Sequence, residues 1–290
     1  MKLIWKFNLV LLGIFALGFA VAGYMSYRSL QSNAREEILQ NARLMMEAAS
    51  SSRNYTITQV KPLLDTQMKY HFLPQTVPAY AATEQFNELR KKHPDYTYKE
   101  ATLNPTNPRN RVADWEGDVV NIFRNTSTTS EVIGERDTPA GRALYLSRPI
   151  QVKSKSCLDC HSTAEAAPKT MIELYGSANG FGWKMDEVIG AQIVSVPMNV
   201  PIERANKTFA TFMGSLAAVF VAIFVLLNVM LYTMVIRRVT RLAGIANNVS
   251  LGNMDAGEFK THSKDEIGVL TESMGRMKAS LLQAMKMLEG

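Results

Sequence analysis

Two stretches of the chain carry no formal charge, Phe7 to Tyr27 and Thr208 to Ile236, while the residues between them mix polar and apolar side chains. As helix, the first stretch spans ~31 Å, about one hydrocarbon core. The second is denser in Val, Leu and Phe. Lys2 and Lys6 precede the first stretch, and Arg237, Arg238 and Arg241 follow the second at once. Positive charge at those two ends predicts two transmembrane helices, 7–27 and 208–236, with both chain ends in the cytoplasm. The chain then divides into a cytoplasmic N-terminus (1–6), an extracytoplasmic portion (28–207) and a cytoplasmic tail (237–290). Basic residues within 28–207 do not oppose this topology, because long loops cross largely regardless of charge. Ala20-Val21-Ala22 reads like a signal-peptide cleavage site. The apolar stretch exceeds the ~7–15 residues of an h-region, so a retained anchor in the inner membrane is expected.

After Arg28 the period becomes helical. Leu30, Ala34, Ile38, Ala42, Met45 and Ala49 recur at spacings of four and three, with Arg35, Glu36, Glu37 and Arg43 off that face. This predicts a long stalk helix to about Val60, ended or kinked by Pro62. Beyond Pro74 the texture shifts to Pro, Tyr, Thr and Asn. Short helices are expected over 81–92 and 112–124. Strands are expected over 96–103, 131–135, 143–152 and 188–197, bounded by turn-forming residues such as Asn104-Pro105-Thr106-Asn107-Pro108. Few strands, interspersed helices and no repeated βαβ unit indicate a small α+β domain with one antiparallel sheet.

Composition narrows the class. The 290 residues are 47% apolar, which excludes wholesale disorder, and two cysteines cannot build a disulfide scaffold. A mean hydropathy near zero excludes a polytopic membrane protein. The net charge of +6 is mild and contains no long basic run, which argues against nucleic acid as a partner.

The strongest chemical signal is Cys157-Leu158-Asp159-Cys160-His161, a C-x-x-C-H attachment sequence for c-type haem. Two thiols one helical turn apart reach the two porphyrin vinyl groups as thioethers, and the next residue brings an imidazole to the iron as proximal ligand. The alternatives fit less well. A thioredoxin-like motif needs a βαβ setting, a zinc site needs further Cys or His ligands, and a plain disulfide leaves His161 without a role. The distal ligand is open. With no third cysteine, the candidates on the outer side are His71, His93 and the methionines Met45, Met46, Met68, Met171, Met185 and Met198. Met45 and Met46 rank first because a ligand on the stalk helix would couple iron to membrane, and His71 is second.

Tyr98 to Arg109 (YKEATLNPTNPR), followed by Trp115-Glu116, resembles a bacterial family of extracytoplasmic c-type haem domains long described only as a domain of unknown function. Val77-Pro78-Ala79-Tyr80, the C-x-x-C-H, Tyr175-Gly176 and Gly180-Phe181-Gly182-Trp183 fit it too, over roughly residues 37–201. The resemblance implies a PAS-like fold, one covalent haem and a role in sensing redox state or a ligand. It also brings a distal thiolate, used in some relatives, which this sequence cannot supply.

The tail resembles a HAMP linker domain. Val239, Leu242, Ala246 and Val249 are spaced 3-4-3, and Ile267, Leu270, Met274, Met277, Leu281, Ala284 and Leu288 continue a heptad seam. Asp265-Glu266-Ile267-Gly268 and Arg276-Met277 carry the likeness, while Arg238-Val239-Thr240 stands where a Pro is usual. Two such helices bury their seams in a parallel four-helix coiled coil, which implies a homodimer. The expected function is a membrane-anchored haem sensor that signals through HAMP to a separate cytoplasmic output protein, since no output domain follows within the sequence. The alternative is a membrane-anchored c-type electron carrier. No nucleophile–base set or metal-ligand cluster beyond the haem motif points to an enzyme.

Overall fold

Helix α1 (Leu3–Tyr55) forms because no proline interrupts it and its residues after Arg28 are rich in Ala, Leu, Met and Glu. Its end is loosened by its own side chains. Thr56 and Thr58 hydroxyls donate to the carbonyls of Ser52 and Asn54, each at 2.9 Å, and Pro62 has no N–H for the carbonyl of Thr58. The result is a π-helical segment (Thr56–Val60) rather than a stop. Helix α2 (Lys61–Met68) resumes with Pro62 in its first turn, where a missing N–H costs nothing. The expectation that Pro62 ends or kinks the helix resolves into this bulge.

The computed structural model describes residues 3–126, 128–255, 257–260 and 263–288; Lys2 and the last two positions of the tail lie outside them. Two compact units emerge, residues 27–208, and residues 1–26 with 209–290.

In the first unit, α3 (Pro78–Arg90), β1 (Thr97–Thr102), α4 (Asp114–Asn125), β2 (Val132–Thr138), β3 (Gly141–Gln151), α5 (Lys155–His161), α6 (Lys169–Tyr175) and β4 (Val188–Pro197) follow in order. The strands form one antiparallel sheet in the order β1-β4-β3-β2. β4 is central and buried on both faces, so its run Val188 to Pro197 reads as nearly continuous apolar sequence. Alternation divides the side chains between two cores. On one face Tyr98, Leu144, Leu146, Val194 and Val196 pack with Ile38, Ala42, Met46 and Ala49 of α1 and with Phe86 of α3. On the other, Ala101, Ala191 and Ile193 pack with Val119, Val120 and Phe123 of α4. The α1 stripe read from the sequence is thus the stripe that covers the sheet.

In the second unit, α7 (Asn199–Met230) passes through a π-helical segment (Leu231–Ile236) into α8 (Arg237–Ser250), and α9 (Glu266–Leu288) follows. Phe15 of α1 stacks on Phe220 of α7 with ring centroids 4.8 Å apart. Both α1 and α7 hold stretches long and apolar enough to cross a membrane, none of whose residues is buried within the chain. Asp265 caps α9 by accepting from the Gly268 amide at 2.8 Å and pairs with Arg238 of α8 at 3.1 Å. A Cβ at Gly268 would strike the Ser263 carbonyl, which accounts for glycine in Asp265-Glu266-Ile267-Gly268.

Candidate functional site

Residues 155–161 fold as one short helix, started by Ser154, whose hydroxyl accepts from the Ser156 amide at 3.3 Å. Cys157 and Cys160 are therefore one turn apart on α5, both as free thiols and both half-buried. Burial pushes the Cys160 thiol up; the charge of Lys61 opposes this, and Asp159 and Cys157 add to it. Lys61 opens α2, so the helix that leaves the π-helical segment is the one whose charge reaches the cysteine pair.

His161 ends α5 and is held from three sides. Its ring stacks on Trp183, with centroids 3.8 Å apart and planes 18° from parallel. Its Nδ1 lies 2.7 Å from the Gly180 carbonyl, which can only accept, so Nδ1 carries the proton and donates. The Thr106 hydroxyl lies 3.4 Å from the same nitrogen. Among the described residues no hydrogen bond reaches Nε2, whose lone pair that tautomer leaves available. Burial lowers the His161 pKa despite the Gly180 bond, favouring the neutral ring.

The Gly180 carbonyl is itself positioned. Asn104 accepts from the Gly180 amide at 3.1 Å and donates to the Phe181 carbonyl at 3.2 Å. The Gly182 and Trp183 amides donate to the Ser162 and His161 carbonyls at 2.9 and 3.2 Å. Gly180 has φ +87°, and a Cβ there would run into Thr106. The segment after β1 and the glycine-rich segment before β4 thus close around one imidazole. Sequence reading had found both as motifs of a resemblance, and Asn104 to Pro108 as a strand stop, without their function of holding His161. Helix α6 had also gone unread.

These residues fit a c-type haem. Two free thiols share one helical turn, the adjacent imidazole has its Nδ1 committed and its Nε2 available, and a backbone carbonyl fixes the ring in the way metal-bound histidines are fixed. Leu63 of α2, Tyr70 after it and Leu174 of α6 are exposed apolar side chains.

The distal candidates are scattered. Met46 is fully buried and Met45 nearly so, in the core with Leu144 and Val196. Met46 precedes Lys61 by 15 residues, about 22 Å of helix. The side chains of Met45 and Met46 are both spent on the core that covers the sheet. Met198 lies in the same core and Met171 is buried in α6. The Met68 sulfur accepts from the Leu73 amide at 3.2 Å and the Thr76 hydroxyl at 3.4 Å. His93 meets Tyr96 edge-on, and Met185 is exposed. His71 is exposed in the turn after α2; its neighbour Phe72 contacts Tyr175 of α6 edge-on at 5.9 Å.

The solved structure of a cyanobacterial haem protein, Tll0287, is similar over 56% of this chain and 95% of that one, at 18% identity and a TM-score of 0.44. No curated protein matches the chain. The family model described as Tll0287-like matches residues 31–197, more than half of the chain and all of the sheet with its C-x-x-C-H helix. Through this PAS-like domain the chain belongs to the Tll0287-like family.

Proposed function

We propose that the chain is a membrane-anchored haem c sensor, responding to redox state or to a small ligand at the iron. The observation that carries the reading is the state of His161 beside two free thiols: Nδ1–H donates to Gly180, Trp183 buttresses the ring, and Nε2 is available. Cys157 and Cys160 would tether the haem and His161 would be its proximal ligand. When bound, the haem supplies a one-electron couple and a coordination position. What the chain's own residues do is orient the imidazole, fix its tautomer and link its holders to β1 and β4.

The domain reading extends this. Residues 1–6 and 237–290 are assigned to the cytoplasm, 7–27 and 208–236 to the membrane, and 28–207 to the outer side of the cytoplasmic membrane. A homodimeric HAMP bundle is supported by the seam. Leu270, Met277 and Leu281 are each more than 40% exposed within one chain, and a second copy would cover them. The bundle would pass the haem state to a separate cytoplasmic protein.

The test compares the two haem states in the full chain. With both native cysteines in thioethers, Met277→Cys is the sole free thiol, and a bismaleimide reports the distance between copies. The yield should differ between oxidised and reduced protein. A yield indifferent to haem state would favour the electron carrier, which has no use for a two-state linker.

For the distal position the reading moves to His71. Phe72 sets its turn against α6, and the charge of Lys61 at the start of the helix before it reaches Cys160. His71→Ala should shift the ferric Soret band and weaken any low-spin signal. Met45→Ala/Met46→Ala should leave the spectrum unchanged while lowering stability by about 2–5 kcal/mol per buried methionine. A spectrum altered by the methionine pair and not by His71→Ala would restore the stalk helix as ligand donor.

A further inference from the structure

The sheet face turned toward α4 carries a cleft of about 310 Å³ at the β1 edge, away from the side chains that hold His161. Its floor is Thr97 and Lys99 of β1 with Ile193 and Ser195 of β4. Its walls come from α3, from the turn at Pro108–Asn110, from the start of α4, and from Arg136 on β2. Four cations line it, Arg90, Lys99, Arg109 and Arg136, against one carboxylate, Glu116.

Two of those cations are already matched. Lys99 pairs with Glu116 at 2.6 Å and also donates to the Arg111 carbonyl at 2.8 Å; Arg109 pairs with Glu84 at 2.5 Å and lies over the Tyr80 ring. The other two have no carboxylate partner among the described residues. Arg90 stands in the last turn of α3, and Arg136 lies over the Trp115 ring, its guanidinium 4.2 Å from the ring centroid. Stacking fixes the plane of a guanidinium and leaves its N–H edge for a ligand. A walled cleft of this size, lined by two unmatched forks together with an indole and an isoleucine, has the character of a small-molecule site.

We propose that this cleft binds a small organic dianion, with a carboxylate for each of Arg90 and Arg136 and a short carbon skeleton against Trp115 and Ile193. Planar carboxylates match the guanidinium fork in a bidentate way, and the apolar part of the lining favours a dicarboxylate over inorganic phosphate. The site is distinct from the haem site but not isolated from it. Arg109 and Thr106 belong to the same connector between β1 and α4, and Thr106 lies against His161. Occupancy at one end of that connector therefore has a route to the imidazole, along three residues of backbone and then through the Thr106 contact. The proposal does not rest on the haem reading and survives its failure.

The experiment is calorimetric titration of the full chain in detergent with succinate, malate and citrate, and in parallel with inorganic phosphate and with succinamide. Saturable binding of at least one of the three carboxylates, with no heat from succinamide, is expected. Arg136→Gln and Arg90→Gln should each weaken that binding roughly tenfold or more, the loss of a charge-assisted bond pair. Arg136→Lys should recover only part of it, since an ammonium keeps the charge and loses the fork. The haem spectrum and melting curve of each variant serve as the check that it is folded. Absence of saturable binding by all three carboxylates at millimolar concentration in the unaltered protein would overturn the proposal. So would phosphate binding as tightly as the best carboxylate, or carboxylate binding that neither Gln variant weakens.

Discussion

Cys157→Ser/Cys160→Ser should yield a protein from which acid–acetone removes all haem, where the unaltered chain keeps its haem on the polypeptide. The expected effect is complete because nothing else in the sequence can form a thioether: these are the only two cysteines. Each single variant keeps one tether and should retain covalent haem in reduced yield with a shifted pyridine haemochrome band, since one vinyl group stays unreacted. Folding is not the confounder, because the two thiols are half-buried on a short helix outside both apolar cores. His161→Ala tests a different function. Both tethers survive, but the imidazole that Gly180 orients is gone, so the haem should remain attached and turn high-spin. Full covalent haem in the double serine variant would sink the assignment of α5.

The residues that name the cofactor were legible in the sequence because their chemistry is local. A thiol pair one turn apart followed by an imidazole is fixed by five consecutive positions and needs no tertiary contact to be recognised. The stripe from Ala34 to Ala49 was legible for a similar reason, since helical spacing alone decides which side chains share a face. What surrounds His161 was not. Asn104, Thr106 and Gly180 lie 55 or more residues from it or across a glycine-rich loop, and their function is to close a ring of hydrogen bonds that only the antiparallel pairing of β1 with β4 brings together. Met45 and Met46 rank first in the sequence because the stalk helix must pack on the sensor domain; that packing is observed, and in it both lie in one core with Leu144 and Val196. Pro62 is expected to end or kink the helix, yet a proline in the first turn of a new segment is compatible with helix, and the hydroxyls of Thr56 and Thr58 absorb the mismatch in a π-helical segment.

Arg53→Met should strongly destabilise the packing of the stalk helix on the sheet. Glu100 sits in the middle of β1 with its side chain 3% exposed, turned toward α1. Its carboxylate accepts from the Arg53 guanidinium and, at 2.8 Å, from the Tyr98 hydroxyl, which in turn accepts from the Gln192 amide at 3.0 Å. Burial, the largest single effect, lowers the Arg53 pKa, but the charges of Glu100 and Tyr98 and the hydrogen bonds to both together outweigh it and the net shift is upward; the Tyr98 phenol is driven up, chiefly by burial and then by Glu100. Removing the arginine leaves a buried carboxylate with one neutral donor, a loss of about 3–5 kcal/mol. Spread over a unit of this size, that is a fall of roughly 6–20 °C in melting temperature. Tryptophan fluorescence of the full chain in detergent measures it through Trp115, which packs against the sheet, and Trp183, which packs on His161. Arg53→Met/Glu100→Leu removes both charges and should recover most of the loss, because a buried ion pair is worth little against apolar side chains of similar volume. The comparison separates a cost of stranding Glu100 from a cost of lost packing by Arg53. If the double variant melts as low as the single, the stem of Arg53 matters more than its charge. A fall of less than ~2 °C in Arg53→Met would mean that Glu100 takes up a proton or finds water, and that the pair does not hold the stalk helix to β1.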